Sequence, residues 1–234
     1  MSAAILDVRD VSKTFVMHLR GDRRIPVFNR VTFHLAPGEC VALSGPSGIG
    51  KSSLLRMVYG NYRCDSGSIM LRMDGAWIDL ARADPRSIRR ARKSTIGYVS
   101  QFLRVIPRVS TLDVVAAAGV DAGLEADRSR AQASALLERL NIPERLWSLP
   151  PATFSGGEQQ RVNIARGLIG GHKVLLLDEP TASLDNENRD VVISLALDAK
   201  ARGAALLGIF HDLHARGRIA DRELDLARFA ATTA

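Results

Sequence analysis

Gly45-Pro-Ser-Gly-Ile-Gly-Lys-Ser52 has the residue types and spacing of a phosphate cradle. Gly45, Gly48 and Gly50 let the chain curl until successive main-chain N–H groups point inward at an anion, with Pro46, Ser47 and Ile49 between them. A helix opening at Lys51 adds the positive end of its dipole. Lys51 has the reach for the β- and γ-phosphates of a nucleotide, and the Ser52 hydroxyl, with Ser53 beside it, suits Mg²⁺. Phosphoryl transfer also needs a metal and an oriented water. Val174-Leu-Leu-Leu-Asp-Glu179 supplies two carboxylates at the end of an apolar run. Asp178 is the candidate for the metal, directly or through water, and Glu179 the candidate to orient or deprotonate the attacking water.

Elements must hold these groups. Cys40-Val-Ala-Leu-Ser44 reads as a short buried strand before the loop, and residues 51–59 read as a helix stopped at Gly60. Strand patterns occur at 4–8, 31–35, 68–73, 96–100, 173–178 and 204–210. Between about 110 and 170 the chain is rich in Ala, Leu and Arg with helical spacing, broken at Asn141-Ile-Pro143 and Leu149-Pro-Pro151. Ser155 is a candidate N-cap for a helix to about Leu168, and 186–202 reads as another helix. Alternating strands and helices around a helical insertion predict an α/β sheet core with a helical lobe, which would carry the acids to the strand edge where open sheets bind ligands.

Phe154-Ser-Gly-Gly-Glu-Gln-Gln-Arg161 resembles the signature motif of the ABC ATPases. The resemblance covers essentially the whole chain. It implies a P-loop NTPase of ABC type, with a RecA-like core, an N-terminal antiparallel β subdomain and an inserted α-helical subdomain. One domain spans 1–234, with the nucleotide-binding core at 1–100 and 172–234 and the helical subdomain at 101–171. Ser155 and the Gly156 and Gly157 amides, with Glu158 after them, form a second anion site at a helix N-terminus. In the family that site closes on the γ-phosphate held by an opposite subunit, so two ATP molecules are sandwiched in a pair. Gln101 resembles the Q-loop glutamine that touches Mg²⁺ or water, and Ser183-Leu-Asp185 the D-loop that crosses to the partner. His211 resembles the switch histidine, and Phe15 sits where an aromatic ring stacks on adenine. The implied catalytic set is Glu179, His211 and Lys51. The implied metal set is Ser52, Gln101 and Asp178, with ATP and Mg²⁺ as cofactors. Phe154, Glu158 and Ile49 depart from the commoner family residues, but none removes a required donor.

Ser100-Gln-Phe-Leu-Arg-Val-Ile-Pro-Arg108, Asn141-Ile-Pro-Glu-Arg-Leu-Trp147, Arg161-Val-Asn-Ile-Ala-Arg166 and Gly208-Ile-Phe-His-Asp212 are less generic. Together they resemble the PhnL ATPases of the phosphonate carbon–phosphorus lyase system. That implies partners in the lyase core complex and a companion ATPase. The alternative is the motor of an importer or exporter of lipoprotein- or macrolide-releasing type. Phe102, Leu103 and Ile106 read either as a partner-docking patch or as an apolar anchor for the helical lobe. A third reading, a nucleotide-gated module without turnover, is opposed by Glu179.

The net charge of +7 comes from Arg scattered along the chain, with one dense run at 86–93, and aromatics are too sparse for a single-strand stacking platform. No nucleic-acid partner is therefore expected. No apolar run reaches the roughly 20 residues that span a bilayer, and the N-terminus lacks signal-peptide character, so a cytoplasmic chain without direct membrane insertion is expected. Cys40 and Cys64 lack metal spacing and read as core residues.

Overall fold

The computed structural model describes residues 4–17, 23–103 and 108–231. Strands β1 (Leu6–Met17), β2 (Arg23–Leu35), β4 (Ser66–Met73) and β5 (Ala76–Asp79) form an antiparallel sheet in the order β2-β1-β4-β5. β1 runs well past the expected strand at 4–8. The chain passes an irregularity there, with Asp10 at φ 49° and the register shifted between Val8 and Val11, and pairing then resumes to Met17. Such a bulge resets the alternation by which a strand is read from sequence.

The second sheet is parallel. Its strands are β6 (Ile96–Val99), β7 (Val174–Asp178), β8 (Ala205–Ile209), β3 (Cys40–Ser44) and β9 (Arg222–Asp225), ordered β6-β7-β8-β3-β9. β7 and β8 are buried along their whole length, as a strand covered on both faces must be. Their side chains alternate between two cores. Leu175, Leu177 and Leu206 join one, while Val174, Leu176, Ala205, Leu207 and Ile209 join the other. The first core takes in Val115 of α3 (Thr111–Asp121), Leu137 of α4 (Ala126–Arg139), Ile164 of α5 (Gly156–Leu168) and Ile193 of α6 (Asn186–Ala201). The second is built from α1 (Lys51–Val58), through Leu54, Leu55, Met57 and Val58, and from the inner face of the antiparallel sheet. Each fully buried leucine here contributes about 1.5–3 kcal/mol through removal of apolar surface from water.

Residues 86–93 form most of α2 (Pro85–Ser94), whose start is set by Asp84 accepting from the Arg86 and Ser87 amides and by proline at the first position. The last helix, α7 (Leu213–Ile219), follows β8. Among the described residues no helix is long and apolar enough to cross a membrane.

Cys40 is fully buried, as expected, whereas Cys64 is only half-buried. Burial pushes the Cys40 thiol up to about 12, and burial also raises Cys64. The reactive species is the thiolate, so it is scarce at Cys40 while the fold holds. At pH 8, iodoacetamide is expected to label Cys64 at least about tenfold faster than Cys40, with Cys40 reacting only after denaturation. Peptide mass mapping over time checks this; equal rates in the folded protein contradict it.

Candidate active site

The order of the parallel sheet decides which distant residues meet. The 45–50 loop leaves β3, the Asp178–Glu179 pair ends β7, Gln101 lies two residues past β6, and His211 two residues past β8. All sit at C-terminal strand edges, and neighbouring strands lie only about 4.8 Å apart.

The loop has the form a phosphate cradle requires. Gly48 takes φ +80°, and a Cβ added there would meet nothing within 4 Å, so its face is open. Gly50 takes φ +103°, and a Cβ there would stand 2.2 Å from Val27 Cγ1, so only glycine lets the loop pass under β2. Gly50 caps α1 without any side-chain bond, while α2 to α7 are capped by Asp84, Ser110, Glu125, Ser155, Asp185 and Asp212. Among the described residues no side chain accepts from the first N–H groups of α1, which suits an anion. Lys51 lies back over the loop, its ammonium donating to Gly45 O at 2.8 Å and Pro46 O at 3.0 Å.

Asp178 is 1% exposed. Its Oδ1 accepts from Ser52 Oγ at 3.0 Å and its Oδ2 from Tyr98 Oη at 2.9 Å. Burial raises the Asp178 carboxyl above the ordinary range, and the bonds from Tyr98 and Ser52 oppose that rise. Burial and the nearby carboxylate push the Tyr98 phenol up in turn, so it stays a donor.

Glu179 adopts φ 55°, a left-handed conformation costly for a residue with a side chain. The turn redirects its carboxylate sideways along the strand edge. Oε2 accepts from Gln101 Nε2 at 3.2 Å, and Oε1 lies 2.8 Å from His211 Nε2. Two residues, from the strands on either side of β7, thus converge on one carboxylate.

The remaining expected residues lie elsewhere. Ser155 caps α5 in a capping box, accepting from the Glu158 amide while its own hydroxyl donates to Glu158 Oε2 at 2.7 Å. Asp185 caps α6 through Asn188. A Cβ at Gly157 would come within 3.1 Å of Ser183 O, so the start of α5 lies against Ser183 and Leu184. Among the described residues, none of Ser155, Glu158 and Asp185 bonds to the phosphate loop, Asp178 or Glu179. Phe15 is half-buried and meets Tyr62 edge to face, centroids 5.4 Å apart, with Lys13 Nζ 5.3 Å from its ring.

The donor set suits Mg²⁺. Ser52 and Asp178 offer hard oxygens, and among the described residues no group of three or more His, Cys, Asp or Glu forms a cage. Mg²⁺ uses few protein ligands, keeping waters and taking phosphate oxygens.

Against known proteins, the family model for ABC transporter matches residues 28–182. The chain belongs to the ABC transporter ATPase family. It is 40% identical over 228 residues to the lipoprotein-releasing system ATP-binding protein LolD of Maricaulis maris, covering 97% of this chain and 96% of that protein. It is 34% identical over 220 residues to the macrolide export ATP-binding/permease protein MacB of Bordetella avium, covering 92% of this chain but 32% of that longer protein. The dimeric post-hydrolysis state of the ATP-binding cassette MJ0796, bound to ADP and Pi, superposes with TM-score 0.84 at 27% identity, over 94% of this chain and 93% of that one. The fold is the ABC ATPase fold, and the chain is an ATPase.

Tyr98 and Asn163 join these groups although the phosphate-loop, carboxylate and signature motifs name neither. Tyr98 stands between strand-forming residues and reads as part of β6, and Asn163, inside α5, donates to Ser100 O at 2.5 Å beside Gln101. A polar residue on a buried helix face is the signal for Asn163, which is 2% exposed.

Proposed function

We propose that the chain is a Mg²⁺-dependent ATPase of the PhnL type, working in a pair beside the phosphonate carbon–phosphorus lyase. The convergence of Gln101 and His211 on Glu179 supports the chemistry. Lys51 and the loop amides bind the triphosphate, and Ser52 and Asp178, with Gln101 beside them, would hold the metal, which would supply positive charge against the phosphate oxygens. Glu179 takes a proton from the attacking water, His211 and Gln101 fix its two oxygens, and ATP and water become ADP and phosphate. Phe15, with Tyr62 behind it, offers a ring for the adenine. A second copy or companion chain brings Ser155, Gly156 and Gly157 onto the γ-phosphate, while Asp185 lies at the junction. The exposed start of α5 and the structural likeness to a dimeric cassette support that arrangement.

For the client, the supporting observation is that three of the PhnL-like stretches join in one hydrogen-bonded patch. Asn163 bonds Ser100 O, and Arg161 Nη1 bonds Leu140 O at 2.9 Å and Asn141 O at 2.7 Å. Next to it, Phe102 is 74% exposed, which favours docking over an anchor role, whereas Leu103 packs on the core. Ile106 lies outside the described residues. Phe102→Asp is expected to leave ATP affinity within about twofold and to lower recovery of lyase subunits at least tenfold, since an interfacial aromatic anchor contributes about 2 kcal/mol or more. Unchanged co-purification refutes the docking role.

The 40% identity to a lipoprotein-releasing ATP-binding protein over nearly the whole chain favours a second reading, a motor that meets a membrane permease at the same surface. Mass spectrometric identification of chains captured by the tagged protein separates the two.

A further inference from the structure

The Asp178 carboxylate is gripped from two sides, and only one grip belongs to the phosphate loop. Ser52 takes Oδ1 and Tyr98 takes Oδ2. Tyr98 pairs in register with Leu176 of β7, so its phenol reaches along the strand edge to the acid two residues on. Its ring rests against Tyr59, centroids 5.0 Å apart, and the Arg92 guanidinium lies 4.4 Å from the centre of Tyr59. From α1, Arg56 Nη1 donates to Tyr62 Oη at 3.2 Å, and Tyr62 in turn meets Phe15.

We propose that Tyr98 is a positioning residue for Asp178, selecting which carboxylate oxygen faces Ser52 and the metal. This rests on the reading that Asp178 serves Mg²⁺. The terminal torsion of an aspartate is broad and two-fold, so an unrestrained carboxylate samples several orientations. A hydroxyl donor fixed to Oδ2 leaves Oδ1 aimed at Ser52. Outer partners that orient a metal-binding carboxylate govern metal affinity by about 10- to 100-fold.

Tyr98→Phe keeps the ring and removes only the hydroxyl. In the presence of a chelator, its ATP affinity is expected to stay within about twofold. Mn²⁺ titration of the protein–ATP complex, followed by electron paramagnetic resonance, is expected to show affinity about tenfold weaker. Tyr98→Leu, which also lacks the hydroxyl, is expected to weaken Mn²⁺ to a similar extent in the same assay, and it decides the matter if Tyr98→Phe does not fold. A purely packing role would leave the Tyr98→Phe titration unmoved. Asp178→Asn provides the reference. If it loses Mn²⁺ affinity while the Tyr98 variants keep theirs, the positioning role of Tyr98 is overturned. If Asp178→Asn also keeps its affinity, the metal reading of Asp178 fails, and the proposal with it.

Discussion

Replacing Lys51 with alanine is expected to weaken ATP binding by about two to four orders of magnitude and to stop turnover. The ammonium is buried and held over the loop by the Gly45 and Pro46 carbonyls, so it is both the loop's cation and part of its shape. Each hydrogen bond to a charged group contributes about 1.5–3 kcal/mol, and a lysine between two phosphates makes at least two, at about 1.4 kcal/mol per tenfold. Calorimetric titration with ATP checks the first effect and a phosphate-release assay the second. Retained affinity with retained turnover would remove the phosphate loop from the site.

Glu179→Gln separates binding from chemistry. Phosphate release is expected to fall by about 10²- to 10⁴-fold, the range for losing a general base, while ATP affinity stays within about threefold. The amide keeps an oxygen for His211, turns its NH2 to a Gln101 amide that must flip to present its own oxygen, and fills the same space, but it cannot accept a proton from water. The left-handed backbone at Glu179 remains in place as well, so the geometry around Gln101 and His211 is preserved. Steady-state release measured beside equilibrium ATP binding shows the split. Full turnover in this variant would assign the proton to another group.

Local signals suffice where one short stretch carries the whole requirement. The phosphate loop, the buried strand at 40–44 and the capped helix from Ser155 stand where the residues put them. They do not suffice where the pattern is interrupted or covered by charge. β1 continues beyond Arg9 and Asp10 because its bulge absorbs them. In α2 only Ala91 is fully buried, so charge hid the helix, although Asp84 and Pro85 mark its start.

The residues alone determined the parts: an amide cradle with one lysine, two acids at a strand end, a capped signature helix. Each is a property of spacing along a few positions, because backbone curvature, strand exit and helix capping are local. Which parts touch was decided by the tertiary fold. The order β6-β7-β8-β3 places Gln101 and His211 on either side of Glu179, and the β6–β7 register brings Tyr98 to Asp178. The apolar runs that form these strands are nearly interchangeable as sequence. Their order is settled only when helices pack on both faces and close the two cores.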